Sequence, residues 1–177
     1  FRANYKFIAE NFAAAVVGTT GWYDISGEIF GYFEKCNTPL IWGSNFSVGV
    51  NVLSAAVDLV SKLLAKNGGY APYIVEKHHC HNLDAPSGTA KTLAADIDRD
   101  MGLKTDVASV RVGELAGTHT VGFEGSCDRL TLEHEAFTRQ GFAEGAVMAA
   151  GMADNLLGNS ARERNVYEFR ELFIGEA

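Results

Sequence analysis

The sequence is short of cysteine, of basic runs and of long apolar stretches, and each shortage closes a class of function. Its three cysteines, Cys36, Cys80 and Cys127, are odd in number and form no CxxC pair. That argues against a disulfide framework and fits a reducing, cytoplasmic setting. Fifteen Lys and Arg stand against 22 Asp and Glu, for a formal net charge of −7. With no cluster of positive residues, nucleic acid is not an expected partner. No stretch approaches the ~18 to 20 consecutive apolar residues of a membrane span, and the first residues do not read as a secretory signal, so no membrane association is expected. Repeats and low-complexity linkers are missing too. So is any GxGxxG, the pyrophosphate grip of a dinucleotide fold.

What remains is 177 residues of ordinary globular composition, long enough for one domain and short for two. The chain opens on Phe1, in what reads as the middle of an element. It is expected to begin partway through a larger protein.

Residues 1–12 have a mixed helical pattern, and Ala13–Val17 is a short apolar run suited to a buried parallel strand. The turn Gly18-Thr19-Thr20-Gly21 follows, then helical spacing over Tyr23–Lys35 and a second strand at Pro39–Trp42, closing on Gly43-Ser44-Asn45. This is β-loop-α-β, the unit of a parallel sheet. Ligands of such sheets sit beyond the carboxyl ends of the strands, where both turns fall. Ser47 can cap a long helix with Val50, Leu53, Val57, Val60, Leu63 and Leu64 on one stripe, ended by Asn67-Gly68-Gly69. From there the pattern predicts a strand over Tyr73–His79, a helix over Ser87–Met101, and strands over Val107–Val112, Thr118–Phe123 and Leu130–Glu135. An Ala- and Gly-rich helix over 141–157 and a short amphipathic segment over Val166–Phe173 complete the chain. The expected fold class is α/β and α+β: a partial Rossmann-like parallel sheet, then an α+β domain for substrate and oligomerisation whose sheet is mostly antiparallel. Residues 1–46 would be the remainder of the dinucleotide-binding domain and 47–177 the second domain, with the C-terminal end able to pack back on the first.

The chemistry concentrates in Ile74–Thr92. Three imidazoles and a thiol (His78, His79, Cys80, His81) precede a helix start at Pro86-Ser87-Gly88-Thr89-Ala90. Unpaired amides and the macrodipole make such a start attractive to anions, and Gly88 leaves the amides approachable. On a continued strand His79 and His81 would share one face, His78 and Cys80 the other. Catalysis or binding of a small carboxylate is the first reading, beside a metal site and a purely structural role. No second pair with tetrahedral spacing follows, and His119 and His134 read as isolated, so no metal ligands are assigned. SGTAKT lacks the leading Gly of a phosphate loop. Arg139, at a strand-to-helix junction, could face a dianionic ligand.

EKHHCHNLDAPSGTA (Glu76–Ala90) resembles the signature E-x-H-H-x-x-K-x-D-A-P-S-G-T-A of the dihydrodipicolinate reductase family, also called 4-hydroxy-tetrahydrodipicolinate reductases. VVGTTGW, SNFSVGVN, GTHTVGFE and HEAFTRQGFAEGA are similar to family segments in family order. The resemblance implies an oxidoreductase of diaminopimelate and lysine biosynthesis, with NADPH or NADH delivering hydride to a cyclic dicarboxylate. It implies catalytic roles at His78 and at Asn82, the position of the family's proton-donating Lys. It implies substrate contacts at His79, Ser87, Gly88 and Thr89, and cofactor contacts at Gly18, Thr19, Thr20, Gly43, Ser44, Asn45 and Phe46. A homo-oligomer, tetrameric and assembled through the second domain's sheet, is implied as well. Asn82 supplies neither a labile proton nor a charge, and the family's first strand and Gly-rich loop have no counterpart here. A catalytically silent relative, acting as a binding or assembly module, is therefore the alternative expectation.

Overall fold

The computed structural model describes residues 1–175, which fold as two compact units: Phe1–Val48 with the chain from Phe142 on, and Gly49–Gly141.

The first unit is built on a three-stranded parallel sheet. Helix α1 (Tyr5–Asn11) leads to β1 (Ala15–Val17), a single 3-10 turn (Tyr23–Ile25), α2 (Ser26–Cys36) and β2 (Leu40–Trp42). After α5 (Gln140–Gly158), β7 (Val166–Glu168) adds to the far side of β2, giving the order β1-β2-β7, and α6 (Phe169–Ile174) follows. Neighbouring residues of β2 serve opposite faces. Leu40 joins Val17, Trp22, Ile29 and Phe33 in one cluster, while Ile41 joins Phe46, Ala149, Ala153 and Phe169 in the other. Both faces of the short sheet are covered, as the continuous apolar runs require. Asn37 ends α2 in the left-handed region, φ 55°.

The segment over 166–173, expected as one amphipathic stretch, is instead a strand followed by a helix. Three residues carry too little pattern to announce a strand; polar contacts fix it. The Glu34 carboxylate accepts from the backbone amides of Asn165 and Val166 and from Asn165 Nδ2 at 2.9–3.1 Å.

The second unit has a four-stranded mixed sheet in the order β4-β3-β5-β6, from β3 (Ala71–His78), β4 (Asp106–Arg111), β5 (Gly117–Glu124) and β6 (Arg129–Ala136). β4 runs parallel to β3, and the other two pairings are antiparallel. Helices α3 (Val48–Asn67) and α4 (Gly88–Met101) pack on one face through Leu53, Val57, Ala90, Leu93 and Ile97, against Ile74, Val121 and Phe123. By length and hydropathy α3 could cross a membrane, but Leu53 and Val57 belong to this core and Asp58, Lys62 and Lys66 interrupt the helix. Gly68 and Gly69 end it with positive φ, as Gly102 ends α4.

Candidate active site

Alternation along β3 puts Pro72, Ile74, Glu76 and His78 on the covered face. The face is apolar up to Ile74 and ionisable beyond it. Register then decides what meets Glu76: His119 of β5 lies directly opposite, and His134 of β6 opposite His119. The two histidines that looked isolated in sequence are therefore cross-strand neighbours, and His119 stands inside the predicted site. Its ring centroid is 5.0 Å from that of His78. Its Nε2 is 3.2 Å from Ser87 Oγ.

Ser87 caps α4 as its position predicts, accepting from the Ala90 amide at 3.3 Å. His119 thus neighbours both His78, at the end of β3, and Ser87, the cap of α4. Gly88 is exposed, and a Cβ there would meet nothing within 4 Å, so the way to the opening amides is clear. Thr89 is half-buried in the same turn.

Glu76 is wholly buried yet charged. Burial pushes its carboxyl up, but hydrogen bonds from Arg111 and Ser109, with the charges of His78 and Arg111, hold it below the usual carboxylate range. Arg111 Nη2 donates to Glu76 Oε1 at 2.7 Å, and Glu76 Oε2 pairs with His78 Nδ1. Gly117, at φ 147°, makes room for the His78 ring: a Cβ there would lie 3.0 Å from Nε2. His119 has the opposite balance. Burial first, then the neighbouring His78, lower its pKa to about 4, so it is neutral at physiological pH. Burial lowers His134 as well.

Strand β3 stops at His78, and His79 to His81 lie in the turn that follows, so strand alternation does not govern them. His79 is half-buried; Cys80 and His81 are exposed. Asn82 is committed to this turn. Its Oδ1 accepts from the Asp84 amide at 3.1 Å, and its carbonyl accepts from Arg111 Nε at 3.1 Å. Arg111 also donates to the Asp84 carbonyl, stapling the segment between β3 and α4 to the sheet. Arg139 is exposed in the bend after β6. Glu76, Arg111 and His119 were the residues missed. A charged residue two positions before His78, on the apolar side of a strand, was the available signal for Glu76.

In the first unit, Gly18, Thr19 and Thr20 are exposed at the carboxyl end of β1, and Gly43 to Phe46 follow β2. The Phe46 ring joins the two turns: a Cβ on Gly18 would lie 3.2 Å from it and one on Gly43 3.7 Å. Asn45 Oδ1 accepts from the Ser47 amide at 2.9 Å. Both glycines thus let the backbone pack closely on the buried Phe46 ring, and the two turns lie side by side at the carboxyl ends of paired strands.

Residues 49–173 match the family model described as dihydrodipicolinate reductase, C-terminus. The 4-hydroxy-tetrahydrodipicolinate reductase of Stenotrophomonas maltophilia is 39% identical over 159 residues, covering 90% of this chain and 64% of that protein. Its namesake in Christiangramia forsetii is 38% identical over 164 residues, covering 84% of this chain and 69% of that protein. A dipicolinate-bound dihydrodipicolinate reductase from a Paenisporosarcina species has the same fold, with a TM-score of 0.74 at 21% identity over 94% of this chain and 66% of that one. The chain spans 64% of the length of the first of these relatives.

Proposed function

The chain belongs to the dihydrodipicolinate reductase family, and from that premise we propose that it carries the substrate site for NADPH- or NADH-dependent reduction of 4-hydroxy-tetrahydrodipicolinate to tetrahydrodipicolinate. That step serves diaminopimelate and lysine biosynthesis, in a cytoplasmic setting. One observation carries the reading: Ser87, His119, His78 and Glu76 stand in a connected line at the N-terminus of α4.

Each residue then has a task. The opening amides of α4 with Ser87, Gly88 and Thr89 receive one carboxylate of the substrate. Ser87 Oγ already accepts from Ala90. If neutral His119 donates from Nε2 to the same oxygen, the hydroxyl proton is left to point at the ligand. His79 adds a second contact. Glu76 holds Nδ1 of His78, which fixes the ring and leaves Nε2 to exchange a proton with the substrate. Arg111 keeps Glu76 ionised. A reduced nicotinamide nucleotide, held at Gly18, Thr19, Thr20 and Gly43 to Phe46, would supply the hydride. Assembly as a homo-oligomer through the open face of the four-stranded sheet belongs to the same reading.

Asn82 favours a second reading, a silent relative that binds but does not turn over. Its side chain closes the turn through Asp84 and offers no proton to the substrate. A chimera that places the upstream segment of the Stenotrophomonas relative before this chain separates the two. The reductase reading expects substrate-dependent NAD(P)H oxidation, faster in the Asn82→Lys variant. Dicarboxylate binding without oxidation in either protein assigns the chain to the silent reading.

A further inference from the structure

We propose that Cys80, His81 and Glu114 form a binding site for one divalent cation of the zinc class, independent of the reductase reading. Beyond the last paired residues of β3 and β4 the two segments continue side by side. The Val112 amide donates to the His78 carbonyl at 3.0 Å, and the Cys80 amide to the Gly113 carbonyl at 3.1 Å. Gly113, at φ 52°, turns the chain within the left-handed region so that Glu114 comes beside His81. The backbone, rather than chance contact of long side chains, brings the two segments together.

His81 Nε2 lies 3.6 Å from Cys80 Sγ and 3.3 Å from Glu114 Oε1. All three donor atoms are within 4.8 Å of one another. One imidazole nitrogen carries either a proton or a lone pair, so it serves only one of two such partners well. A cation at the centre of the triangle serves all three. Zinc bonds of about 2.3 Å to sulfur and about 2.0–2.1 Å to nitrogen and oxygen give tetrahedral edges of about 3.5 Å and about 3.3 Å, close to the two separations that His81 Nε2 makes. The set of thiolate, imidazole and carboxylate suits zinc, cobalt or nickel better than magnesium or calcium. Side-chain exposures of 70% for His81 and 82% for Glu114 leave the outer side open to water as a fourth ligand. The buried trio Glu76, His78 and His119 is less suited, because Arg111 already neutralises Glu76. On binding, Cys80 releases its thiol proton to solvent, and no oxidant or reductant is involved. The bound ion would tie the turn carrying Asn82 to the loop after β4.

Cobalt(II) is the probe, titrated into the intact chain with a reductant that does not bind metals. One equivalent is expected to produce a thiolate-to-cobalt charge-transfer band and the visible bands of tetrahedral cobalt, both abolished by added zinc. Cys80→Ser should remove the charge-transfer band. His81→Ala and Glu114→Gln should each weaken binding by roughly tenfold or more, and Cys127→Ser should change nothing. Absence of the band at one equivalent, its survival in Cys80→Ser, or unchanged affinity in both other variants overturns the proposal. The three side chains lie outside the core, and circular dichroism of each variant checks that the fold is intact.

Discussion

His119 ties the site to pH. Buried beside His78, it titrates near 4 in the folded protein, against 6.5 ordinarily. As pH falls through that window the unfolded chain takes up a proton that the folded one refuses. Stability contributed by keeping His119 neutral is therefore complete above about 6.5 and lost towards about 4, on the order of 3 kcal/mol in all. Glu76 works in the same direction: its depressed folded pKa gives stability that disappears as acid protonates it. Urea midpoints measured across this range should fall steeply for the parent chain. In His119→Gln, which keeps a donor and does not titrate, the fall should be shallower; an equal slope contradicts the assignment. The places of His78 and Ser87 were legible from the motif because they depend on local geometry, the end of a strand and the cap of a helix. His119 and Arg111 were not, since they reach the site through strand register, which a single sequence does not display.

Helix α5 shows how much a small side chain decides. Gly145, Ala149 and Ala153 are its buried residues, and a Cβ on Gly145 would stand 1.7 Å from the Phe46 carbonyl oxygen. Backbone cannot yield as a flexible side chain does, so Gly145→Ala should cost at least about 2 kcal/mol. Gly151, on the same helix with nothing within 4 Å of its Cβ position, is the internal comparison: Gly151→Ala should be neutral or gain up to about 1 kcal/mol. Equal thermal shifts for the two would mean that α5 does not pack as described. The Ala- and Gly-rich composition of 141–157 announced close packing, and the structure shows the backbone it packs on. The longer elements were visible through period and caps, with α4 beginning after Ser87 and ending at Gly102. β7 was not, because three residues show no period and a carboxylate 131 positions earlier in the chain, Glu34 on α2, holds it in place.

At the scale of the whole molecule, the second unit uses only one face of its sheet for a core. The other face carries Tyr73, Val75 and Lys77 of β3, with Val110 of β4 42% exposed. A Thr120 to Glu133 hydrogen bond and Arg129 over the Tyr73 ring order its polar part. Association through this face should give a mass in solution that is a multiple of the 19.1 kDa chain, and Val110→Asp, which sets a charge on its exposed edge strand, should reduce that mass towards one chain. A mass unaffected by the substitution places assembly elsewhere. The two-sheet plan was legible from the change of pattern after Gly69. The C-terminal end was expected to be able to pack back on the first domain; that a strand of it joins the first sheet was not legible, since that depends on contacts more than a hundred residues apart, such as Arg162 with Asn37.

Calorimetric titration of dipicolinate into the intact chain tests the substrate site most directly. One dicarboxylate should bind per chain, with affinity falling roughly tenfold or more in Ser87→Ala and in His119→Leu while both variants stay folded. Binding of equal strength in the parent and in both variants would show that the opening turn of α4 and its buried imidazole do not hold the carboxylate.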